Sequence, residues 1–380
     1  MRILTVNLGS NTLRLRLVEP DGVLSESADL PSTGGEVDEE EVRELVSRWP
    51  RPDGIGHRLA HGGPLYTRAV LIDEAVAVDL GGLAELAPLQ QASALRLHEV
   101  VAAVRPGTPS VACFDTAFHS GMPGAGQTYA VPLAWRDHLA VRRYGAHGLS
   151  QAYAVQRVTG LTGRPGSRLA VAHLGASSSV AAVVGGRSVE STAGFTPMDG
   201  LVMGSGAGAI DPAVVVWLQK RKGLHPDEVS RALHRESGLF ALAGTSDLTE
   251  VLQAVESTDR DGPTDGAKLA LAVYVHRVAL GIGAMAAAVH GLDALVFTGG
   301  VGESSAVVRE LVSLSLAHLG IAVDPLRNAQ ADRSAQDQDV SAASAATSTF
   351  VIHSREDLQI ASETRSVLRG RRGAAATIPV

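Results

Sequence analysis

Two glycine turns in this sequence have the composition of a phosphate cradle. The first lies in LTVNLGSNTLRLRLVEPDG, residues 4–22, and the second in LAVAHLGASSSVAAVVGG, residues 169–186. Each runs through an apolar stretch, a polar residue, Leu-Gly, small hydroxyl residues and a second apolar stretch, so that Asn7 stands opposite His173 and Gly9 opposite Gly175. Glycine lets the backbone approach a ligand closely, and the amides and hydroxyls of such a turn can donate to phosphate oxygens. One copy alone would read first as a hairpin with an ordinary surface turn. Two copies a domain length apart argue for a duplicated fold with a nucleotide between its halves.

Other stretches carry reactive side chains. ALVFTGGVGESSAVVREL has the order strand, glycine turn, helix, which presents amides to phosphate but is a weak signal alone. GFTPMDGLVMGSGAGAIDP, residues 194–212, suits either backbone contact with a ligand or a mobile loop. SVACFDTAFHSGMP places Asp115 and His119 just past a strand, where ligands gather in open α/β sheets, although Asp115 could equally cap a helix. His57, Arg58 and His61 crowd a Gly-Gly-Pro turn in IGHRLAHGG, and RRYGAHGLS sets His147 in a glycine-flanked loop.

The elements that must position these residues need more than one core, because 380 residues exceed a typical single domain. With 45% hydrophobic and 19% charged residues the chain is globular. A net charge of -7 and a pI near 6.0 give no reason to expect nucleic acid as a partner. A solitary Cys113 excludes an internal disulfide and fits a reducing compartment, and the chain enters a strand with no visible secretory leader, so a cytoplasmic location is expected. The apolar window 267–291 is rich in Ala and interrupted by Lys268, His276 and Arg277, which predicts a buried core helix and no membrane partner. EEEVRELVSRW has the spacing of a surface helix, residues 325–349 read as a surface excursion, a helix is expected from Glu356 to about Leu368, and GRRGAAATIPV reads as a frayed tail.

In order along the chain, NLGSNTLRLRL, HRLAHGG, FDTAFHSGMP with RRYGAHG, HLGASSS with GFTPMDGLVMGSGAGAIDP, and FTGGVGE with REDLQIA resemble the acetate kinase family, from residue 1 to about 368. The resemblance implies an α/β, duplicated actin-like ATPase (ribonuclease H-like) fold of two domains with a cleft between them. It implies an acyl-binding domain of residues 1–119 plus about 358–380, and a nucleotide-binding and dimerisation domain of residues 120–357. The implied reaction moves a phosphoryl group from ATP to a short-chain carboxylate with magnesium, in a homodimer. Arg58 would hold carboxylate or phosphate, His147 would donate to the transferring group, Asp115 would orient the reactants, and Glu356 with Asn7 would hold magnesium. Asn7, Ser10, Thr12, Arg14, His173, Gly175, Ser177, Asp247, Thr298, Gly299, Gly300 and Gly302 would lie against the nucleotide.

The sequence departs from the family pattern at the site. Where the family has Met-Gly-Thr-Arg-Ser-Gly-Asp-Ile-Asp-Pro, this chain runs from Met203 through Gly204 and Ser205 to Gly206 in the arginine's place. Ala176 and Ser177 replace Asn-Gly, Thr249 replaces an arginine and Gln151 a histidine. Of the residues that line the family's methyl pocket, Leu89 and Pro197 are kept, Ala60 replaces valine and Ala146 replaces phenylalanine. A larger acid is therefore expected, with polar character from Gln90 and Gln91. Two readings follow: a working carboxylate kinase with an altered acid or donor, pyrophosphate included, or an impaired protein that binds nucleotide or acyl phosphate or hydrolyses the latter slowly.

Overall fold

The computed structural model describes residues 1–9, 11–32, 35–88, 90–257, 265–332, 334 and 336–375, with side chains to residue 370. Ser10, Leu89 and the end of the expected frayed tail lie outside the described residues.

The chain divides into two units, one of Met1–Ser120, Ala146–Tyr153 and the residues from Arg355 on, the other of Gly121–Gly145 and Ala154–Ser354. The first unit contains β1 (Ile3–Leu8), β2 (Thr12–Val18), β3 (Leu24–Pro31), β4 (Gly54–Leu59), β5 (Val70–Leu71) and β6 (Ser110–Phe114), in the order β3-β2-β1-β4-β6-β5. The second contains β7 (Arg168–Leu174), β8 (Ser178–Val184), β9 (Arg187–Ser191), β10 (Ala294–Thr298), β11 (Gln338–Asp339) and β12 (Ser348–Val351), in the order β9-β8-β7-β10-β12-β11. In each, two antiparallel strands lead into three parallel ones, and a short antiparallel strand closes the edge. The repeat read from two turns is thus a repeat of the whole α/β sheet. It extends to register: Val6 pairs with His57 and Ala172 with Phe297, so Arg58 and Thr298 hold equivalent positions.

Both faces of the first sheet are covered, which is why all six residues of β1 are buried. Leu4, Val6 and Leu8 alternate onto a core shared with Val42 and Val46 of the helix Glu39–Arg48 and with Leu97 and Val101 of the helix Gln91–Val104. The other face meets the helix Glu356–Ala375, where Ile3, Val111 and Cys113 pack with Ile360 and Leu368. Two glycines make this contact possible: a Cβ on Gly54 would collide with Leu368, and one on Gly56 with Thr364 and Ile360. Leu368, Thr364 and Ile360 lie on one helical face as β4 runs forward, so the helix descends antiparallel to β4 and its first residue, Glu356, arrives at the level of Arg58.

Two expectations change in the structure. Ala146–Tyr153 and Arg355–Asp357, which the sequence boundaries put in the second domain, belong to the first unit, where the Gly148 amide donates to the Asp115 carbonyl at 2.9 Å. The stretch 325–349 is not a plain surface excursion: Asp324 caps a helix, Pro325–Ala331, and Ala331 and Val340 are buried against Val351. A third expectation is kept: the helix Asp265–Ala288 is long and apolar enough to cross a membrane, but Ala270, Tyr274, Val278 and Ile282 enter the core of the second unit, as the sequence predicts, while Lys268, His276 and Arg277 are exposed.

Candidate active site

The parallel strands β1, β4 and β6 end together, and period-two alternation turns Asn7, Arg58 and Asp115 toward the face that the helix Glu356–Ala375 covers. Arg58 donates from Nε and Nη2 to Asp115 Oδ2, at 3.0 and 2.7 Å. Its Nη1 donates to the Leu8 carbonyl at 3.1 Å and to Asn7 Oδ1 at 3.3 Å. Asn7 Nδ2 in turn donates to Glu356 Oε2 at 2.6 Å, which lies 4.0 Å from Arg58 Nη1. Burial works against the Arg58 charge, but Asp115 and then Glu356 outweigh it and hold the guanidinium protonated. Asp115 does not cap the turn Ala117–His119, which has no side-chain cap, and its Oδ2 is engaged by Arg58.

His147 belongs to the same cluster. It is buried, with a left-handed backbone (φ 56°) that costs a non-glycine residue about 1 kcal/mol. Gly148 follows because a Cβ there would strike the Asp115 carbonyl. Burial first, then Arg58, lowers the His147 pKa to about 3, so the imidazole is a neutral hydrogen-bond donor. Sequence reading left His119 without a role, yet its Nε2 lies 3.0 Å from the Ala146 carbonyl, and burial lowers its pKa to about 4. The signal that could have found it is its spacing, four residues after Asp115.

A pH dependence follows from these rings. Unfolded, His147 and His119 take up protons near pH 6.5; folded, they do so only near 3 and 4, so the unfolded chain binds more protons in between. Stability is therefore expected to be level above about pH 7 and to fall by several kcal/mol from pH 6.5 to 4. Thermal unfolding across that range measures it, and a flat profile would contradict two buried neutral rings.

Of the trio in IGHRLAHGG only Arg58 enters this cluster. His57 points to the other face of β4, where its Nε2 lies 3.4 Å from His98 Nδ1. His61 Nδ1 accepts from the Gly63 amide at 2.9 Å. Gln91 is fully buried, its Oε1 accepting from the His61 amide and its Nε2 donating to the His61 carbonyl, so it cannot make a ligand pocket polar. Gln90 begins the helix Gln91–Val104. Ala146 is buried and Ala60 half-buried in the first unit, and Pro197 lies in the second. Arg14 is exposed across the strand pair from Asn7, and the Thr12 carbonyl accepts from the Gly9 amide at 2.8 Å.

In the second unit β7 and β10 end side by side and bring two glycine turns together. Thr298 is buried, and Gly299 (φ 80°) sits so near the Leu174 carbonyl and the His173 ring that a Cβ would lie 2.7 and 3.1 Å from them. Gly175 approaches the Gly300 amide, and its own amide lies 3.3 Å from Ser178 Oγ, just after Ser177. The Gly299 amide donates to Glu303 Oε1 at 2.9 Å. Glu303 also accepts from the Ser354 amide, and the buried Arg309 donates to the carbonyls of Gly302 and Glu303. Asp247 is exposed and caps the helix Leu248–Glu256 through the Thr249 amide. Beside Gly206 lies the Met203 side chain, 3.2 Å from where a Cβ would stand. Arg143, the basic residue before Tyr144 in RRYGAHGLS, donates to the Ser191 carbonyl at 3.2 Å and lies 5.2 Å above the Tyr129 ring, so it is engaged away from the place of the missing arginine.

Comparison with known proteins agrees with these motifs. The profile of the acetokinase family matches residues 36–362. An acetate kinase from Synechococcus sp. is 42% identical over 83% of this chain and 77% of its own length. One from Moorella thermoacetica is 40% identical over 86% and 80%, and one from Methanosarcina thermophila is 34% identical over the whole of both chains. Among solved structures, a propionate kinase from Francisella tularensis has a TM-score of 0.86 at 30% identity, covering 96% of this chain and 99% of its own. An acetate kinase from Porphyromonas gingivalis has a TM-score of 0.83 at 30% identity, covering 97% and 99%. The two-domain α/β architecture is the actin-like ATPase fold, and with matches of this extent the chain belongs to the acetokinase family.

Proposed function

We propose that this carboxylate kinase transfers the terminal phosphoryl group of ATP to a short-chain carboxylic acid larger than acetate, giving an acyl phosphate and ADP. The observation that carries the choice of acid is Ala146, buried immediately before His147 with only a methyl where the family has a phenylalanine ring. Ala60, just past β4, is reduced in the same sense from valine. The polarity expected from Gln90 and Gln91 is dropped, since Gln91 is committed to the His61 backbone.

An ionised carboxylate is already a nucleophile, so the site needs no strong base. Its oxygen would attack the terminal phosphorus while the bond to the bridging oxygen of ADP breaks. Arg58, kept charged and aimed by Asp115, would hold the carboxylate or an equatorial phosphoryl oxygen. Neutral His147 would donate its N–H to the transferring group. His173 and the turns around Gly175 and Gly299 would lie against the nucleotide.

Among the described residues no three His, Cys, Asp or Glu side chains form a metal cage. Magnesium needs none, since it keeps its waters and takes phosphate oxygens with one or two carboxylates. The buried Glu356 carboxylate, held by Asn7, fits that demand and would hold the ion directly or through water. Bound magnesium would offset charge between the phosphates.

A homodimer is part of this reading: the helix Pro212–Lys222 has no buried residue and exposes Val214, Val216 and Trp217, an apolar face that a second copy could cover. So is a cytoplasmic location, in keeping with one reduced, buried Cys113. The alternative of an impaired protein, or a slow acyl-phosphate phosphatase, is favoured by a single feature, Gly206 in the arginine's place with Arg143 engaged elsewhere.

Trapping the acyl phosphate with hydroxylamine across acetate, propionate, butyrate and bulkier acids tests the reading. Each methylene that finds an apolar wall should raise kcat/KM about fourfold, from roughly 0.8 kcal/mol per buried CH₂. A maximum at acetate would refute the larger acid.

A further inference from the structure

We propose that His119 is the positioning residue of His147, acting through the Ala146 carbonyl, and that Gln151 fixes the His119 ring that does so. This rests on the reading of His147 as donor to the transferring group.

The backbone around His147 is left-handed and held at three points: Ala146 O near His119 Nε2, the His147 carbonyl accepting from the Gln151 amide at 3.0 Å, and the Gly148 amide on the Asp115 carbonyl. Ala146 contributes only a methyl, so no large side chain of its own anchors the peptide that enters His147. His119 ends the turn that follows Asp115, fully buried and edge-on to the Phe118 ring at 5.3 Å. One stretch of chain thus sets both Arg58, through Asp115, and His147, through His119. A neutral ring has one donor and one acceptor nitrogen. With Nε2–H on the carbonyl, Nδ1 accepts, and the side chain of Gln151, four residues after His147, hydrogen-bonds the ring. An amide does not titrate, so this partner holds one tautomer at every working pH.

The test compares His119→Phe, His119→Gln, His147→Ala and the double variant His119→Phe/His147→Ala in the full chain, with ATP and the best acid of the acetate-to-butyrate series. His119→Phe should lower kcat on the order of 10- to 100-fold with the KM for ATP little changed, as a catalytic group displaced by an ångström does. His119→Gln, which keeps an N–H near the place of Nε2, should recover most of the loss, and the double variant should be no slower than His147→Ala. Hydrogen exchange at the Gly148 amide gives a readout independent of turnover and should accelerate at least about tenfold in His119→Phe. The proposal is overturned if kcat in His119→Phe stays within twofold of the parent, if Gln is as slow as Phe, if the losses add in the double variant, or if Gly148 exchange is unchanged. Should His119→Phe not fold, Gln151→Met carries the same comparison, and an unaltered kcat there overturns the proposal. Full activity in His147→Ala rejects the underlying reading of His147 as well; a slow His147→Ala beside a fast His119→Phe rejects this proposal alone.

Discussion

Replacing Arg58 with alanine is expected to lower kcat/KM for carboxylate phosphorylation by about 10³-fold or more, the scale on which an arginine at a phosphoryl-transfer site acts. Arg58 is also the partner of Asp115, which is 3% exposed and takes two of its N–H groups on one oxygen. Removing the guanidinium leaves that carboxylate buried without its counter-charge, at roughly 3–5 kcal/mol of folding stability. Arg58→Lys should return part of the stability and little of the rate, since an ammonium supplies charge without the planar fork. Kinetics and chemical denaturation on the same preparations separate the two losses. An Arg58→Ala enzyme within tenfold of the parent would remove Arg58 from the reaction.

Placing arginine at position 206 is expected to raise turnover of acetate by about 10- to 100-fold, short of the full 10³ to 10⁵ that an arginine can supply. The backbone can take the first carbon of that side chain: only Met203 crowds a Cβ at Gly206, and a thioether side chain adapts readily. The shortfall follows from Ala176 and Thr249, which still lack the amide and guanidinium of the family pattern. Steady-state rates with acetate in Gly206→Arg and the parent decide it. An unchanged rate would show that the missing cation does not limit the parent enzyme, and full recovery would show that Ala176 and Thr249 cost nothing.

What the sequence made legible was local. NLGSNT and HLGASS, each within ten residues, announced the duplication, because a glycine turn between apolar runs needs no distant partner to be recognised. Family motifs brought Asn7, Arg58, Asp115, His147 and Glu356 onto one list, and the structure brings them into one cluster. Spacing could not choose between a cap and an ion pair for Asp115, since the choice is made by Arg58, 57 residues away. Nor could it show that Gln91 serves a peptide 30 residues back, that Gly56 exists to admit Ile360 and Thr364, or that Glu303 takes the Gly299 amide. Each depends on an element far along the chain, and tertiary contact leaves no period in the local pattern. The place of the segment Ala146–Tyr153 in the first unit was hidden for the same reason: Gly148 permits a close approach, but nothing in the local sequence names the Asp115 carbonyl as its partner.

The descent of the C-terminal helix along Gly54 and Gly56 also sets an order of events during synthesis. The strands of the first sheet are complete by Phe114, but the helix that covers one of its faces begins at Glu356. A ribosome adding residues at about 5–20 per second needs roughly 10 to 50 s to cover that interval. Throughout it Ile3, Val111 and Cys113 have no Ile360 or Leu368 to pack against, and Asn7 waits for a carboxylate 349 residues away. The nascent first unit therefore carries an uncovered apolar face while the second unit is made, and it becomes competent for ligand only when the last helix docks.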